Sequence, residues 1–111
     1  MIDAINELRN TSILKVQKVH DYWQIHTDKG RINIYNPATY HTTLGKSFDL
    51  EHIHSDDIIN RIIINVFIEN ERYLCFKLDN ESAIIISLAD NDYSGPEAFC
   101  IYLNTGVIIV D

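Results

Sequence analysis

This sequence of 111 residues contains little of what enzymes and disulfide-stapled domains are built from. Its four glycines are isolated from one another, so it has no glycine-rich loop of the kind that cradles phosphate. Its two cysteines, Cys75 and Cys100, lie in separate apolar runs, which predicts two buried free thiols rather than a disulfide framework. No catalytic motif occurs, and neither cysteine sits on a strand-to-helix turn as a nucleophile would. We therefore predict a protein that is not an enzyme and that needs no cofactor.

Basic residues are scarce as well. Nine Lys and Arg residues stand against sixteen Asp and Glu residues, which gives a net charge of −7. A field of this sign repels nucleic acid and anionic membranes and attracts cationic partners. The first residues are acidic where a secretory signal is basic, and no apolar run approaches the ~20 residues of a membrane span. We expect a cytoplasmic protein that binds neither nucleic acid nor membrane.

The five histidines lack the spacing of a metal site. On a strand, His52 and His54 would share one face, and His41 or Asp56 could complete a ligand set. A zinc signature has a tight ligand pair and a partner pair at fixed spacing, and neither is present. We predict structural or solvent-exposed histidines and no bound metal.

Strand patterns dominate what is present. Residues 73–78 alternate apolar and polar, which is typical of a half-buried strand. Residues 82–88 are apolar on both faces, which predicts a central strand covered on both sides. Other runs rich in β-branched and aromatic residues predict further strands. These runs are 13–19, 22–27, 31–35, 62–68, 97–103 and 107–110. The pattern of 97–103 fits either a strand or a helix, and we predict a strand.

The remaining segments are short or weakly patterned. Residues 2–9 predict a helix of about two turns, and Gly30 suits the left-handed position of a hairpin loop. Residues 38–55 predict a long irregular connection, and Ser55 at its end, with Asp56 and Asp57, could cap a short helical turn through Asn60. We predict a single domain, 1–111, that is mainly β, in the α+β class with little helix. Its antiparallel sheet would be curved or two-layered.

The two halves of the chain match at an offset of 51 residues. Tyr22 then aligns with Tyr73, and Ile34 with Ile85. Each half becomes a short helix or turn followed by a three-stranded meander, with the halves at 1–52 and 53–111. Divergent duplication and the chance similarity of generic hairpins both remain open.

Acidic residues cluster in two loops, which makes these loops the candidate binding surface. By the 51-residue offset, the second loop corresponds to residues 40–43, so related halves would bring both loops to one end of the sheet. Tyrosines amid carboxylates are typical of a surface that binds a basic protein, although two independent solvated loops remain the alternative. The candidate partner-binding residues are Tyr40, Asp49, Glu51, Asp56, Asp57, Asp90, Asp92, Tyr93 and Glu97.

Two stretches carry a family resemblance. Ile-Tyr-Asn-Pro at 34–37 and Asp-Tyr-Ser-Gly-Pro-Glu-Ala at 92–98 resemble small bacterial immunity proteins of contact-dependent growth inhibition and related polymorphic toxin systems. The resemblance implies a stoichiometric inhibitor of a cognate toxin domain, commonly a nuclease. It assigns no contact residues, because these are specific to each pair, and it leaves the fold, the toxin and the oligomeric state open.

The acidic charge favours the same function independently, because a nuclease site that holds phosphates is cationic. Two other functions stay open. One is a non-enzymatic interaction or adaptor module that uses an exposed sheet edge. The other is a β domain that binds a small ligand in the cavity of a curved sheet.

Overall fold

The computed structural model describes residues 5–52 and 57–111. Within these residues, ten strands form one antiparallel sheet that is not closed. The mainly β class predicted from the sequence is confirmed. Across the sheet the order is β10-β9-β3-β2-β1-β6-β7-β8-β4-β5. The strands are β1 Thr11–Val19, β2 Tyr22–Thr27, β3 Gly30–Ile34, β4 Ala38–His41, β5 Ser47–Asp49, β6 Ile62–Glu69, β7 Tyr73–Leu78, β8 Ala83–Ser87, β9 Phe99–Leu103 and β10 Ile108–Val110. Short 3-10 turns occupy Asn6–Leu8, Leu50–His52 and Asp90–Asp92.

The sheet folds over on itself at its centre. Ten strands spaced about 4.8 Å apart would span roughly 43 Å if flat, whereas the Cα atoms extend only 32 × 32 × 29 Å. The sheet bends between β1 and β6, where only two residue pairs are in register, Thr11–Ile63 and Ser12–Ile62. Both strands are bulged just beyond it, at Leu14 and Ile64, and bulges bend strands. The result is a first layer of β1, β2, β3, β9 and β10 and a second layer of β6, β7, β8, β4 and β5.

The core lies between the inner faces of these layers. Apolar side chains from both layers form a single buried cluster, in which Ile25, Phe76 and Ile84 are at most 1% exposed. In the first layer one inner row runs across the strands as Val16, Ile25, Ile32, Ile101 and Ile109. The equivalent row of the second layer is Val66, Phe76, Ile84, Tyr40 and Phe48. Period-2 alternation therefore identified the inner face of β7 correctly, since Leu74, Phe76 and Leu78 are all buried.

The two layers repeat the same strand registers. The pairs Gln24–Asn33 in the first layer and Cys75–Ile85 in the second are equivalent, at offsets of 51 and 52 residues. Beyond the meanders the repeat crosses over, because the β4–β5 hairpin pairs with β8 and the β9–β10 hairpin pairs with β3. Each half of the chain thus completes the layer of the other half, and the offset there grows to 61 residues. The predicted equivalence of 40–43 with the second acidic loop is therefore wrong, since Tyr40 is equivalent to Ile101.

Several local predictions need correction. The stretch 38–55 is not irregular, since it contains the β4–β5 hairpin and a 3-10 turn. Of the predicted helix at 2–9, the structure describes Ile5 as α-helical and Asn6–Leu8 as a 3-10 turn, whereas residues 2–4 and the cap at Ser55 lie outside the described residues. The strand for 97–103 is confirmed as β9. Strand β8 is central, as predicted, but its outer face is open, because Ile85 there is only half-buried.

Gly30 is needed for close packing rather than for a left-handed turn. The glycines with positive φ are Gly45 and Gly106, whereas Gly30 begins β3 beside β9. A Cβ atom at Gly30 would lie 2.3 Å from the backbone oxygen of Tyr102. Any side chain at this position would therefore push the two strands apart.

Candidate protein-binding cleft

A cleft of about 500 Å³ opens where the chain crosses between the layers. Residues 35–37 cross from β3 to β4, and residues 88–98 cross back from β8 to β9. The two crossings are hydrogen-bonded, since the backbone N–H groups of Tyr35 and Asn36 donate to the oxygen of Ala98 at 2.9 and 3.1 Å. The side-chain Nδ2 of Asn36 donates to the oxygen of Ser87 at 2.8 Å. These bonds hold the two crossings together at one end of the molecule.

Four carboxylates line this cleft. They are contributed by the β1–β2 turn, the end of β5 and the two neighbouring 3-10 turns, and they are Asp21, Asp49, Glu51 and Asp92. The Asp92 carboxylate is held in place, since the Ser87 hydroxyl donates to its Oδ2 at 2.5 Å. Asp21, Asp49 and Glu51 are exposed to solvent. The arrangement gives the cleft a negative lining that no single loop could supply.

Trp23 forms an apolar wall of the cleft. Its ring packs against the core and lies 5.3 Å from the Nζ atom of Lys18, measured to the ring centroid. The same Nζ atom lies 2.6 Å from Oε1 of Glu51. A cation between an indole face and a carboxylate is attracted by both. The protein's own lysine thus shows which kind of group this position accepts.

A second cleft of about 630 Å³ adjoins the first and shares Pro37 and Asp92 with it. Glu71 and Asp90 add carboxylates, Arg72 adds one cation, and Tyr73 adds a ring that is 44% exposed. Burial, with the nearby charges of Asp111 and Asp90, raises the pKa of the neighbouring Tyr93 hydroxyl. The acidic surface therefore extends over both crossings. We call it the acidic end, defined by Asp21, Asp49, Glu51, Glu71, Asp90 and Asp92.

The structure sorts the predicted binding residues into three groups. Asp49, Glu51 and Asp92 meet in the first cleft, and Asp90 lines the second. Glu97 lines a separate hollow beside Pro96, and the exposed Asp57 lies near the opposite end, where its backbone oxygen accepts a hydrogen bond from Arg61 Nε. Asp56 lies outside the described residues.

The two predicted aromatic anchors do not serve as exposed anchors. Tyr40 is 5% exposed and belongs to the core row between Ile84 and Phe48, so that prediction is wrong. Tyr93 is half-buried and packs against the core. The aromatic residue of the cleft is Trp23 instead. Trp23 lies at the start of β2, two residues after the acidic turn at Asp21, and on the same face as Ile25. That position beside an acidic turn was the signal that could have identified it.

The histidine grouping is not found in the part of the chain that the structure describes. His41 Nε2 lies 2.8 Å from Thr39 Oγ1 and its Nδ1 lies 3.1 Å from Ser47 Oγ, while the side chains of His52 and His54 fall outside the description. Among residues 5–52 and 57–111, no three His, Cys, Asp or Glu side chains are grouped to hold a metal ion. Over the same residues, no helix has the length and apolar character needed to cross a membrane. Cys75 and Cys100 are buried and unbridged, as predicted, and burial raises the pKa of the Cys75 thiol.

No protein-family model, curated protein or solved structure matches this chain.

Proposed function

We propose that this protein is a cytoplasmic, non-enzymatic immunity protein that binds a basic toxin domain, a nuclease, through the acidic end. The observation that carries the proposal is the first cleft, which Asp49 and Glu51 line together with Trp23 and the sequence-distant Asp92. The net charge of −7 and the resemblance to immunity proteins point the same way. Carboxylates in this arrangement occupy the place that substrate phosphates take on a cationic nuclease surface.

Binding would draw on two effects of different range. The negative field of the whole chain steers a cationic domain toward the acidic end and raises the association rate. At contact, a partner Arg or Lys takes the position of Lys18 between the Trp23 ring and Glu51. The exchange costs little, because the Lys18–Glu51 pair is 39% and 59% exposed and such ion pairs contribute only about 0–1 kcal/mol. Trp23 then supplies the buried aromatic contact that commonly dominates interface energies.

The test combines co-expression with the toxin domain, scored by cell survival, with association kinetics measured at low and high salt. The double variant Asp49→Lys with Asp92→Lys reverses two charges in the first cleft. We expect it to lose protection and to associate on the order of tenfold more slowly at low salt, with a smaller difference at high salt.

The matched control is Asp57→Lys with Glu81→Lys, which makes the same change in net charge. Both of these carboxylates are exposed and stand at the opposite end of the second layer. We expect the control to protect like the parent. If the cleft variant protects and binds as the parent does, the acidic end is not the interface. If both variants fail equally, only net charge matters and the cleft has no specific role.

A further inference from the structure

The outer face of the first layer carries a row of cations. The registers place Lys15 opposite His26, His26 opposite Arg31 and Arg31 opposite Tyr102. We call Lys15, His26 and Arg31 the basic row. The Arg31 guanidinium carbon lies 4.6 Å from the centroid of the Tyr102 ring, so its side chain is held flat across β9. Neighbouring strands bring these side chains within about 5 Å of each other at Cβ.

The charges of the basic row are not balanced by the protein itself. The two ion pairs found in the part of the chain that the structure describes are Lys18–Glu51 and Arg61–Asp79, and neither involves this row. The strands of this layer are described in full and turn no carboxylate outward on this face. Like charges directly opposite one another destabilise a sheet. Burial together with Lys15 and Arg31 lowers the pKa of His26, as expected for a group facing cations on both sides.

The fold does not require these cations, as its own repeat demonstrates. Identical registers in the second layer produce the equivalent row Asn65, Lys77, Ala83 and His41. That row has a single permanent charge, on Lys77, where the basic row has two and a histidine. Both layers form equivalent strands, and both bury equivalent rows of side chains on their inner faces. Clustering of cations on one outer face is therefore a property of the first layer alone and not of the architecture.

Polar groups beside the basic row lack partners. Arg31 Nε and Asn33 Oδ1 are buried without a hydrogen bond, and Asn33 is only 5% exposed. Buried polar atoms of this kind are rare and call for an explanation such as a binding role. The surrounding side chains form a hydrogen-bonded array, since Gln17 Nε2 donates to Gln24 Oε1 at 3.0 Å and His26 Nε2 lies 3.2 Å from the same oxygen. The face is thus polar and ordered, and its unpartnered donor, Arg31 Nε, is suited to an anionic acceptor, whereas Asn33 Oδ1 is an acceptor and would need a donor.

We propose that this face binds an acidic segment of a partner protein, whose carboxylates accept hydrogen bonds from Arg31 and Lys15. Arg31 presents the planar donors that pair with carboxylates in bidentate fashion, and Tyr102 fixes their orientation. A protein segment is favoured over a nucleic acid because a long polyanion meets the repulsion of the whole −7 chain, whereas a short acidic segment places few charges against the row alone. The proposal goes beyond the immunity function, since it concerns another surface and a partner group of opposite charge.

The experiment follows the amide spectrum of isotope-labelled protein by NMR while hexaglutamate is added. We expect shifts confined to β1, β2, β3 and β9 and an affinity that falls about tenfold or more in Arg31→Gln. Lys77→Gln makes the same charge change on the outer face of the second layer and should leave the affinity unchanged. If Arg31→Gln does not fold, Lys15→Gln replaces it, since Lys15 is exposed.

The pH dependence separates binding from a merely structural row. The charged groups that face His26 are Lys15 on β1 and Arg31 on β3. A carboxylate bound there stabilises the protonated imidazole, so hexaglutamate should raise the pKa of His26 and bind more tightly as pH falls through that pKa. The proposal is wrong if hexaglutamate leaves the basic row unshifted. It is also wrong if inorganic phosphate or single-stranded oligothymidylate binds this row more tightly at equal charge, which would assign it to phosphate instead.

Discussion

Replacing Phe76 by Ala tests whether the two layers share the core described above. Phe76 lies in the middle of β7, is 0% exposed and stands between Val66 and Ile84 in the inner row. Phe67 offers a matched substitution on the neighbouring strand, because it faces outward and is 37% exposed. The same atoms are removed at both sites, so only burial differs between the two variants.

The magnitudes follow from that difference in burial. Truncation of a fully buried Phe to Ala costs about 3–5 kcal/mol, because the cavity cannot collapse completely. The loss at the partly exposed Phe67 should be about 1 kcal/mol, since no closed cavity forms there. An unfolding entropy of about 2.1 cal/mol/K per residue amounts to about 0.23 kcal/mol/K for this chain. Phe76→Ala should therefore lower Tm by about 13–22 °C, and Phe67→Ala by about 4 °C.

Urea unfolding of both variants, followed by circular dichroism, measures these free energies directly, and calorimetry gives the Tm values. An equal loss at the two positions would mean that the outer face of the second layer is as buried as the inner face. A larger loss at Phe67 would mean that the faces are reversed. Either result would contradict the two-layered packing from which the position of the acidic end is derived.

Two further predictions concern the backbone and pH. Gly30→Ala should cost about 1–3 kcal/mol, because the new Cβ would meet the Tyr102 oxygen, whereas Gly95→Ala, where the space is open, should be neutral in the same urea titration. Hydrogen bonds from the Thr11 hydroxyl, the larger cause, and from the Ser12 N–H lower the pKa of Asp28 from its ordinary value of 3.8. The ionised carboxylate therefore stabilises the folded state fully above pH 3.8, and this contribution is lost as pH falls through the lowered pKa of the folded protein. Thr11→Val should raise that pKa, as measured by NMR, and should destabilise less in acid; an unchanged pKa would contradict the assignment.

Strand identity and inner faces were largely predictable from the sequence, because alternation within one strand is a local property. Residues 73–78 and 62–68 match β7 and β6 closely, and Leu74 and Phe76 face the core as their spacing predicts. The 51-residue offset found in the sequence holds only between β2 and β7, because the equivalent offset is 50 residues between β1 and β6 and 52 residues between β3 and β8. Ile34 is therefore equivalent to Ile86 and not to Ile85. The hairpin of β4 and β5 was missed, since strands of four and three residues have too short a pattern to separate from a loop.

The partner of each hairpin was decided only by the tertiary structure. A hairpin pattern describes which residues pair within it, and it contains nothing about the sheet edge that the hairpin will join. Crossing of β4–β5 to β8 turned Tyr40 inward and made it part of the core. The same crossing brought Asp49 and Glu51 to Asp92, which is more than 40 residues away along the chain. The sequence alone determined that Asp49, Glu51 and Asp92 lie in acidic segments. The exchange of hairpins between the two layers determined that these carboxylates line one cleft with Trp23, because only the long-range pairing of the strands brings them together.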